Sequence, residues 1–233
     1  MLGTSKDRKL KERQSRDELI LSVAKRLLVE QGMAGLSMQA IADQTDYSKG
    51  TIYQHYGCKE DIVAKLAISC GESLISMIDL ALQHAKSVRH KVVLVSAAYF
   101  INGQAQPEIA NLVSNLNTPE FQEKVSQTLL DEFKKNEDII IKRILTLFSQ
   151  GTGFDSNKVM DAAFGWWSMQ WGVQDILAKG WNMQDLGFAD PVQYFFRSLH
   201  IYLDGLGVPE DEACHDWAQL RIQAQQIFQT NCE

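Results

Sequence analysis

An all-α fold follows from three features of the sequence. Apolar residues recur at helical spacing, and no segment shows sustained two-residue alternation or an Asn-Gly hairpin turn. All four prolines, Pro107, Pro119, Pro191 and Pro209, stand where an apolar-periodic segment begins, and there the missing N–H costs nothing. Glycines at 103, 151, 153, 180, 205 and 207 stand where such segments stop.

The first helix is expected over 16–31. Leu19, Ile20, Val23, Ala24, Leu27 and Leu28 make one continuous apolar stripe along it, and Gly32 is a natural left-handed stop. Two short helices follow, over 37–45 and 48–56, separated by a break at Asp46-Tyr47. A second break at Gly57-Cys58 precedes a longer helix from Lys59 into the eighties. Further helices are expected over 88–103, 107–116, 119–149, 157–179, 191–205 and 209–229. The domain organisation expected from this is a basic flexible arm at 1–15, a three-helix helix-turn-helix domain at 16–66, and a larger helical domain at 67–233.

Composition narrows the class. Hydrophobic residues at 45% and charged residues at 22% are ordinary for a soluble globular chain, and 233 residues are enough to bury a sizeable core. No stretch approaches the roughly 18–20 uninterrupted apolar residues of a membrane span, and the N-terminal residues lack the apolar run of a secretory signal. A cytoplasmic protein is expected. Cys58, Cys70, Cys214 and Cys232 form no C-x-x-C pair, which in a reducing compartment means free thiols. Cys58 has one alternative: beside a helix start its thiol pKa can fall, which would suit a redox sensor.

The net charge of -6 hides an asymmetry. Residues 1–65 carry 11 Lys/Arg against 9 Asp/Glu, whereas 66–233 carry 12 against 20. The arm concentrates Lys6, Arg8, Lys9, Lys11, Arg13 and Arg16 against Asp7 and Glu12. A basic arm on a near-neutral domain suits a polyanion, and equally describes a solvated tail.

Residues 36–56 carry the chemistry. Ser37 is suited to cap a short helix that turns Met38, Ile41 and Ala42 inward, with Ala42 small where two helices approach closely. Asp46 occupies the turn, where a left-handed residue is often needed and Asp tolerates it. Ser48 caps the next helix, with Ile52 facing in. Two short helices joined by a tight turn can place the second in a DNA major groove. Lys49 can contact phosphate or guanine, and Thr51 a base edge or thymine methyl. Gly50 removes a side chain where backbone would approach DNA. Tyr53, His55 and Lys59 offer donors to phosphates.

The run Gly35-Leu-Ser-Met-Gln-Ala-Ile-Ala, then Tyr47-Ser-Lys-Gly-Thr-Ile-Tyr-Gln-His-Tyr, then Lys59-Glu-Asp-Ile resembles the N-terminal domain of the TetR family of transcriptional regulators. The likeness covers about 16–66. It implies DNA contact by Ser37, Gln39, Tyr47, Ser48, Lys49, Gly50, Thr51, Tyr53, His55 and Lys59. Ser37 and Ser48 read equally well as plain helix caps. Two departures stand out: Thr45-Asp46-Tyr47 replaces the usual Ala-Gly-Val turn, and Tyr56 replaces the commoner Phe. Tyr47 is too large for a Val pocket and is expected to lean toward the DNA backbone.

The resemblance further implies that 67–233 is a ligand-binding and dimerisation domain, and that the protein is a repressor. As such it would bind double-stranded operator DNA as a homodimer and be released by a small apolar or aromatic ligand. An activator, or a regulator answering to a partner protein, is the alternative, and a helical interaction module is a third reading. Residues 164–171 hold three of the five tryptophans. Trp167 and Trp171 share one helix face; Trp166 and Gln170 share the neighbouring one. Such rings line apolar pockets, and they also fill cores and interfaces. The dimer bundle is expected from 157–179 and 191–205, and an amphipathic helix at 209–229 would extend it or cover a pocket.

No nucleophile elbow, P-loop, dinucleotide fingerprint or zincin motif is present, so no enzyme and no cofactor is expected. No metal is expected either. His55, His84, His90, His200 and His215 include no i, i+4 pair; His200 and Asp204 are so spaced, with an ion pair on one helix face favoured over a shared cation. Cys214 and His215 are adjacent and point to different faces.

Overall fold

The computed structural model describes residues 5–150, 152–179, 183–214 and 216–229. Gly151, Gly180, His215, Cys232 and the first four residues of the arm lie outside them. Among the described residues every regular element is helical: α1 (Ser5–Gly35), α2 (Met38–Thr45), α3 (Lys49–His55), α4 (Lys59–His84), α5 (Val88–Ala105), α6 (Pro107–Leu116), α7 (Pro119–Gln122), α8 (Gln127–Ser149), α9 (Ser156–Ala178), α10 (Pro191–Gly205) and α11 (Trp217–Gln229). A single 3-10 turn spans Glu212–Cys214. No described helix is long and apolar enough to cross a membrane.

The chain divides into two compact units, residues 1–69 with 108–134, and residues 70–107 with 135–233. The first unit therefore adds 108–134 to the helix-turn-helix segment. Its core is laid down by the expected stripe: Ile20, Val23, Ala24, Leu27 and Leu28 of α1 are buried, as are Ile41, Ala42, Ile52, Ile62 and Val63. Gly32 breaks α1 at φ 64, ψ -168, a conformation open to glycine, so the helix is interrupted where the sequence places its stop. Residues 5–15, expected as a flexible arm, are instead exposed helix, the opening turns of α1. The reason is local: the run is rich in Lys, Arg, Glu and Gln, all good helix formers.

The helix expected over 119–149 is two helices, α7 and α8. Asp61, a buried carboxylate on α4, accepts from the Ser126 amide at 2.7 Å and from the Gly57 amide at 3.1 Å. Cys58 Sγ donates to the Lys124 carbonyl at 3.3 Å. The bonds at Ser126 and Lys124 satisfy the backbone between α7 and α8 outside the helical ladder, so the break costs little.

The second unit is organised around Trp166, 1% exposed on α9. Its Nε1–H donates to Ser96 Oγ of α5 at 2.9 Å, and Tyr99 and Phe148 meet its ring edge-on at centroid distances of 5.3 and 6.5 Å. From α10, Phe195, Phe196, Leu199 and Leu203 complete the core, and Trp217 of α11 stacks on Phe196 at 4.0 Å.

The helix expected over 209–229 starts late, at Trp217. Arg89 is fully buried and donates to the carbonyls of Val208 at 2.5 Å and Pro209 at 2.9 Å, and that stretch is non-helical. Asp216 then caps α11 by accepting from the Ala218 amide at 2.9 Å and the Gln219 amide at 3.2 Å. Arg89 also resolves the His200–Asp204 spacing. Its guanidinium donates to Asp204 Oδ1 at 2.6 Å and contacts His200 Nδ1 at 3.3 Å, so both side chains hold the arginine.

Ser96→Ala is expected to leave the indole N–H of Trp166 buried without an acceptor. The stability loss should be about 1–3 kcal/mol, measured as a lower urea midpoint at unchanged slope. A midpoint equal to that of the native chain would contradict this account of the core.

Candidate DNA-binding site

Helices α2 and α3 are built by their caps. Ser37 accepts from the Ala40 amide at 3.0 Å and opens α2; Ser48 accepts from the Thr51 amide at 3.1 Å and opens α3. Between them Asp46 sits at φ 56, ψ 15, the left-handed conformation the turn requires. It is the one non-glycine with positive φ among the described residues. α2 packs on α1 and α3 packs on α2. Ile41 and Ile52 are completely buried, which fixes the opposite side of α3 as its outward face.

The ten residues implied as DNA contacts divide by exposure. Ser37, Gln39, Ser48, Lys49, Gly50 and Tyr53 are exposed, whereas Tyr47, Thr51, His55 and Lys59 are half-buried. Lys49 Nζ lies 6.0 Å from the Tyr53 ring centroid, so ammonium and phenol stand together on the outward face. Thr51 Oγ1 lies 2.9 Å from Ser48 Oγ, and Gln39 Nε2 donates to Asp43 at 2.7 Å. A Cβ placed on Gly50 would meet only Ser48 Oγ, at 3.7 Å. The fold therefore has no packing need for glycine there, although glycine costs a helix about 1 kcal/mol relative to alanine.

Two of the ten residues turn toward the protein. The His55 ring is inward, its Nδ1 3.6 Å from Asp17 of α1 and its side chain only 7% exposed. Lys59 Nζ donates to the Met33 carbonyl at 3.4 Å, tying the start of α4 to the end of α1. Asp17 also accepts a hydrogen bond from the Tyr56 hydroxyl; burial first, then Asp17, pushes that phenol well above its ordinary pKa. The sequence offered no local signal for Asp17, because its partners lie some forty residues away. The same is true of Arg26, which donates to Gln44 at 2.7 Å and fastens α2 to α1.

Cys58 does not have the environment of a reactive thiolate. Burial raises its pKa most, and the Asp61 and Glu60 charges add to that, outweighing backbone N–H groups that act in the other direction.

Of the four residues in the Trp-rich segment, the structure brings two together on each side of α9. Trp166 and Gln170 are 1% exposed, inside the second unit. Trp167 and Trp171 are 45% and 46% exposed, on the outer face. Neighbouring helical residues are about 100° apart, so a pair spaced i, i+4 and the pair one residue on fall across the boundary between inside and outside. Neither end of the Gln170 side-chain amide has a hydrogen-bond partner. A separate cleft of about 240 Å³ is lined by Leu82, Lys91, Lys142, Arg143, Thr146, Leu147 and Gln150, and none of the four residues borders it.

Comparison with known proteins agrees with this geometry. Residues 20–66 match the family model for bacterial regulatory proteins of the tetR family. No curated protein sequence matches the chain. Several solved structures share its fold. One, a protein of unknown function from Rhodococcus sp. RHA1, is 17% identical at TM-score 0.65, covering 81% of this chain and 94% of that one. A regulatory protein of the tetR family from Rhodococcus RHA1 is 16% identical at TM-score 0.61, covering 83% and 98%. The transcriptional regulator FadR from Bacillus subtilis, solved with stearoyl-CoA, is 19% identical at TM-score 0.59, covering 81% and 98%. Residues 20–66 are therefore similar to the N-terminal domain of the tetR family of bacterial regulatory proteins, and the chain shares the fold of solved regulators of that family.

Proposed function

We propose that this protein is a cytoplasmic repressor that binds operator DNA as a homodimer through α3 and is released when a small, largely apolar ligand enters its second unit. The observation that carries the DNA-binding reading is Gly50. A helix of seven residues tolerates glycine at an exposed position with open space around it, at a cost to its own stability. Close approach of a partner's backbone accounts for that cost. Lys49 and Tyr53 flank the opening with a charge and a hydroxyl suited to phosphate, and Thr51 borders it with a hydroxyl suited to a base edge. Ser37 and Ser48 act first as caps in this reading. His55 and Lys59 act by holding α3 and α4 in place, although Lys59 keeps two further donors for phosphate.

The dimer is supported by an apolar face with no covering element among the described residues. Met160, Phe164, Trp167 and Trp171 recur at i, i+4, i+7 and i+11 along α9, all exposed, with Phe164 at 70%. Ile201, 72% exposed, and Tyr194 lie seven apart on α10, which packs on α9. A second copy is the occupant that a two-fold operator calls for, since one short recognition helix reads too few base pairs. Trp167 and Trp171 are assigned to this face, which leaves Trp166 and Gln170 for the ligand.

Ligand response is supported by Gln170. Two unpaired polar atoms in a buried side chain each cost about 1–3 kcal/mol, and a ligand with one polar group on an apolar body would satisfy them. The structurally similar Bacillus subtilis FadR was solved with stearoyl-CoA, which is in keeping with an apolar effector.

Gel shifts at graded salt, on the DNA flanking the protein's own gene, test the site. Lys49→Ala combined with Tyr53→Ala is expected to abolish specific binding, and operator affinity equal to that of the native chain would sink the assignment. Gly50→Ala is expected to leave stability unchanged or raise it by up to about 1 kcal/mol, while weakening operator binding at least tenfold. A Gly50→Ala protein that binds as tightly as the native one would remove the reason given for the glycine.

A further inference from the structure

Three side chains outside the Trp-rich segment converge in the second unit. They are His90 on α5, Asp211 ahead of the 3-10 turn, and Cys214 at its end; one donor atom from each lies within 4.8 Å of the others. His90 and Cys214 are buried, at 4% and 1% exposure, and Asp211 is half-buried. The Nε2 atom of His90 is buried with no hydrogen-bond partner in the protein. An imidazole nitrogen in that condition normally costs stability, and its ring also supplies the donor that meets a carboxylate and a thiol.

We propose that His90, Asp211 and Cys214 form a site for a borderline-soft divalent cation of the Zn2+ class. One imidazole nitrogen, one carboxylate oxygen and one thiolate sulfur suit such an ion, and hard cations that take only oxygen do not match the set. In a tetrahedral site with bonds of about 2.0–2.3 Å the donor atoms stand roughly 3.5 Å apart, so the triad closes on the ion by about an ångström. Three protein ligands leave a fourth position, which can take water or an exchangeable ligand.

The surroundings hold the ligands in place. Ser87 Oγ donates to Asp211 Oδ2 at 2.5 Å and accepts from the His90 amide at 3.0 Å, linking two of the three. His200 Nε2 lies 3.1 Å from the Cys214 carbonyl and positions the 3-10 turn. Arg89 is the nearby positive charge, and it is engaged by Asp204 and by the Val208 and Pro209 carbonyls. Binding releases the thiol proton to solvent and leaves the ion's oxidation state unchanged. Because His90 is on α5 and the other two ligands precede α11, the ion would clip the 209–229 segment to α5.

The test uses full-length protein stripped with a chelator, then titrated with Co2+ and with Zn2+. One equivalent of Co2+ is expected to bring up a thiolate-to-cobalt charge-transfer band that excess Zn2+ removes. Zn2+ alone is expected to raise Tm. Cys214→Ser should abolish the band. His90→Gln and Asp211→Asn should weaken binding at least tenfold and lose most of the Tm shift. Circular dichroism without metal identifies any variant that fails to fold, and Asp211→Asn, at the half-buried position, keeps the comparison open if the buried changes are not tolerated. The absence of a band in the native chain overturns the proposal. So does a band, with unchanged affinity, in all three variants, since that places the cobalt on another cysteine.

Discussion

Helices of eight and seven residues are too short to hold themselves in water, so α2 and α3 exist only through burial of Met38, Ile41, Ala42 and Ile52 in the first unit. Everything proposed for DNA depends on that constraint. Because one side of α3 is committed to the core, the other side is fixed in space, and Lys49, Gly50 and Tyr53 lie there together. The caps Ser37 and Ser48, the left-handed Asp46, the Arg26–Gln44 bond and the Asp17 contacts with His55 and Tyr56 all secure the same two helices. A surface held on all these sides is preorganised for a rigid partner, and little ordering remains to be done on binding.

Most of this organisation was legible in the sequence because it is local. Pro107 and Pro191 open helices at the residues where their fixed φ permits, and Ser37, Ser48 and Asp46 act in the caps and turn that their chemistry allows. What escaped a local reading was set by partners distant in the chain. Asp61 captures the Ser126 amide and separates α7 from α8. Arg89 captures two carbonyls near Pro209 and delays α11 by eight residues, to Trp217. His55 has the residue type of a phosphate contact, yet Asp17 draws it inward. Spacing patterns carry no information about such long-range polar bonds.

The second unit illustrates the limit of composition. Three tryptophans in eight residues point to a concentrated apolar surface, and the structure assigns that surface to two different sides of α9. Trp166 is satisfied by Ser96 and enclosed by Tyr99 and Phe148, whereas Gln170, one turn on, is enclosed without partners. Trp167 and Trp171 face outward with Phe164 and Met160. The buried unpaired amide and the exposed apolar stripe are the two features that a ligand and a second copy would respectively satisfy.

Amide hydrogen exchange, with and without DNA flanking the protein's own gene, tests the central claim most directly. The account predicts strong added protection across 37–55, greatest around Lys49, Gly50 and Tyr53, because that face of α3 would enter the groove. Protection confined to residues outside 1–69, or no change in 37–55 while DNA is bound, would contradict it.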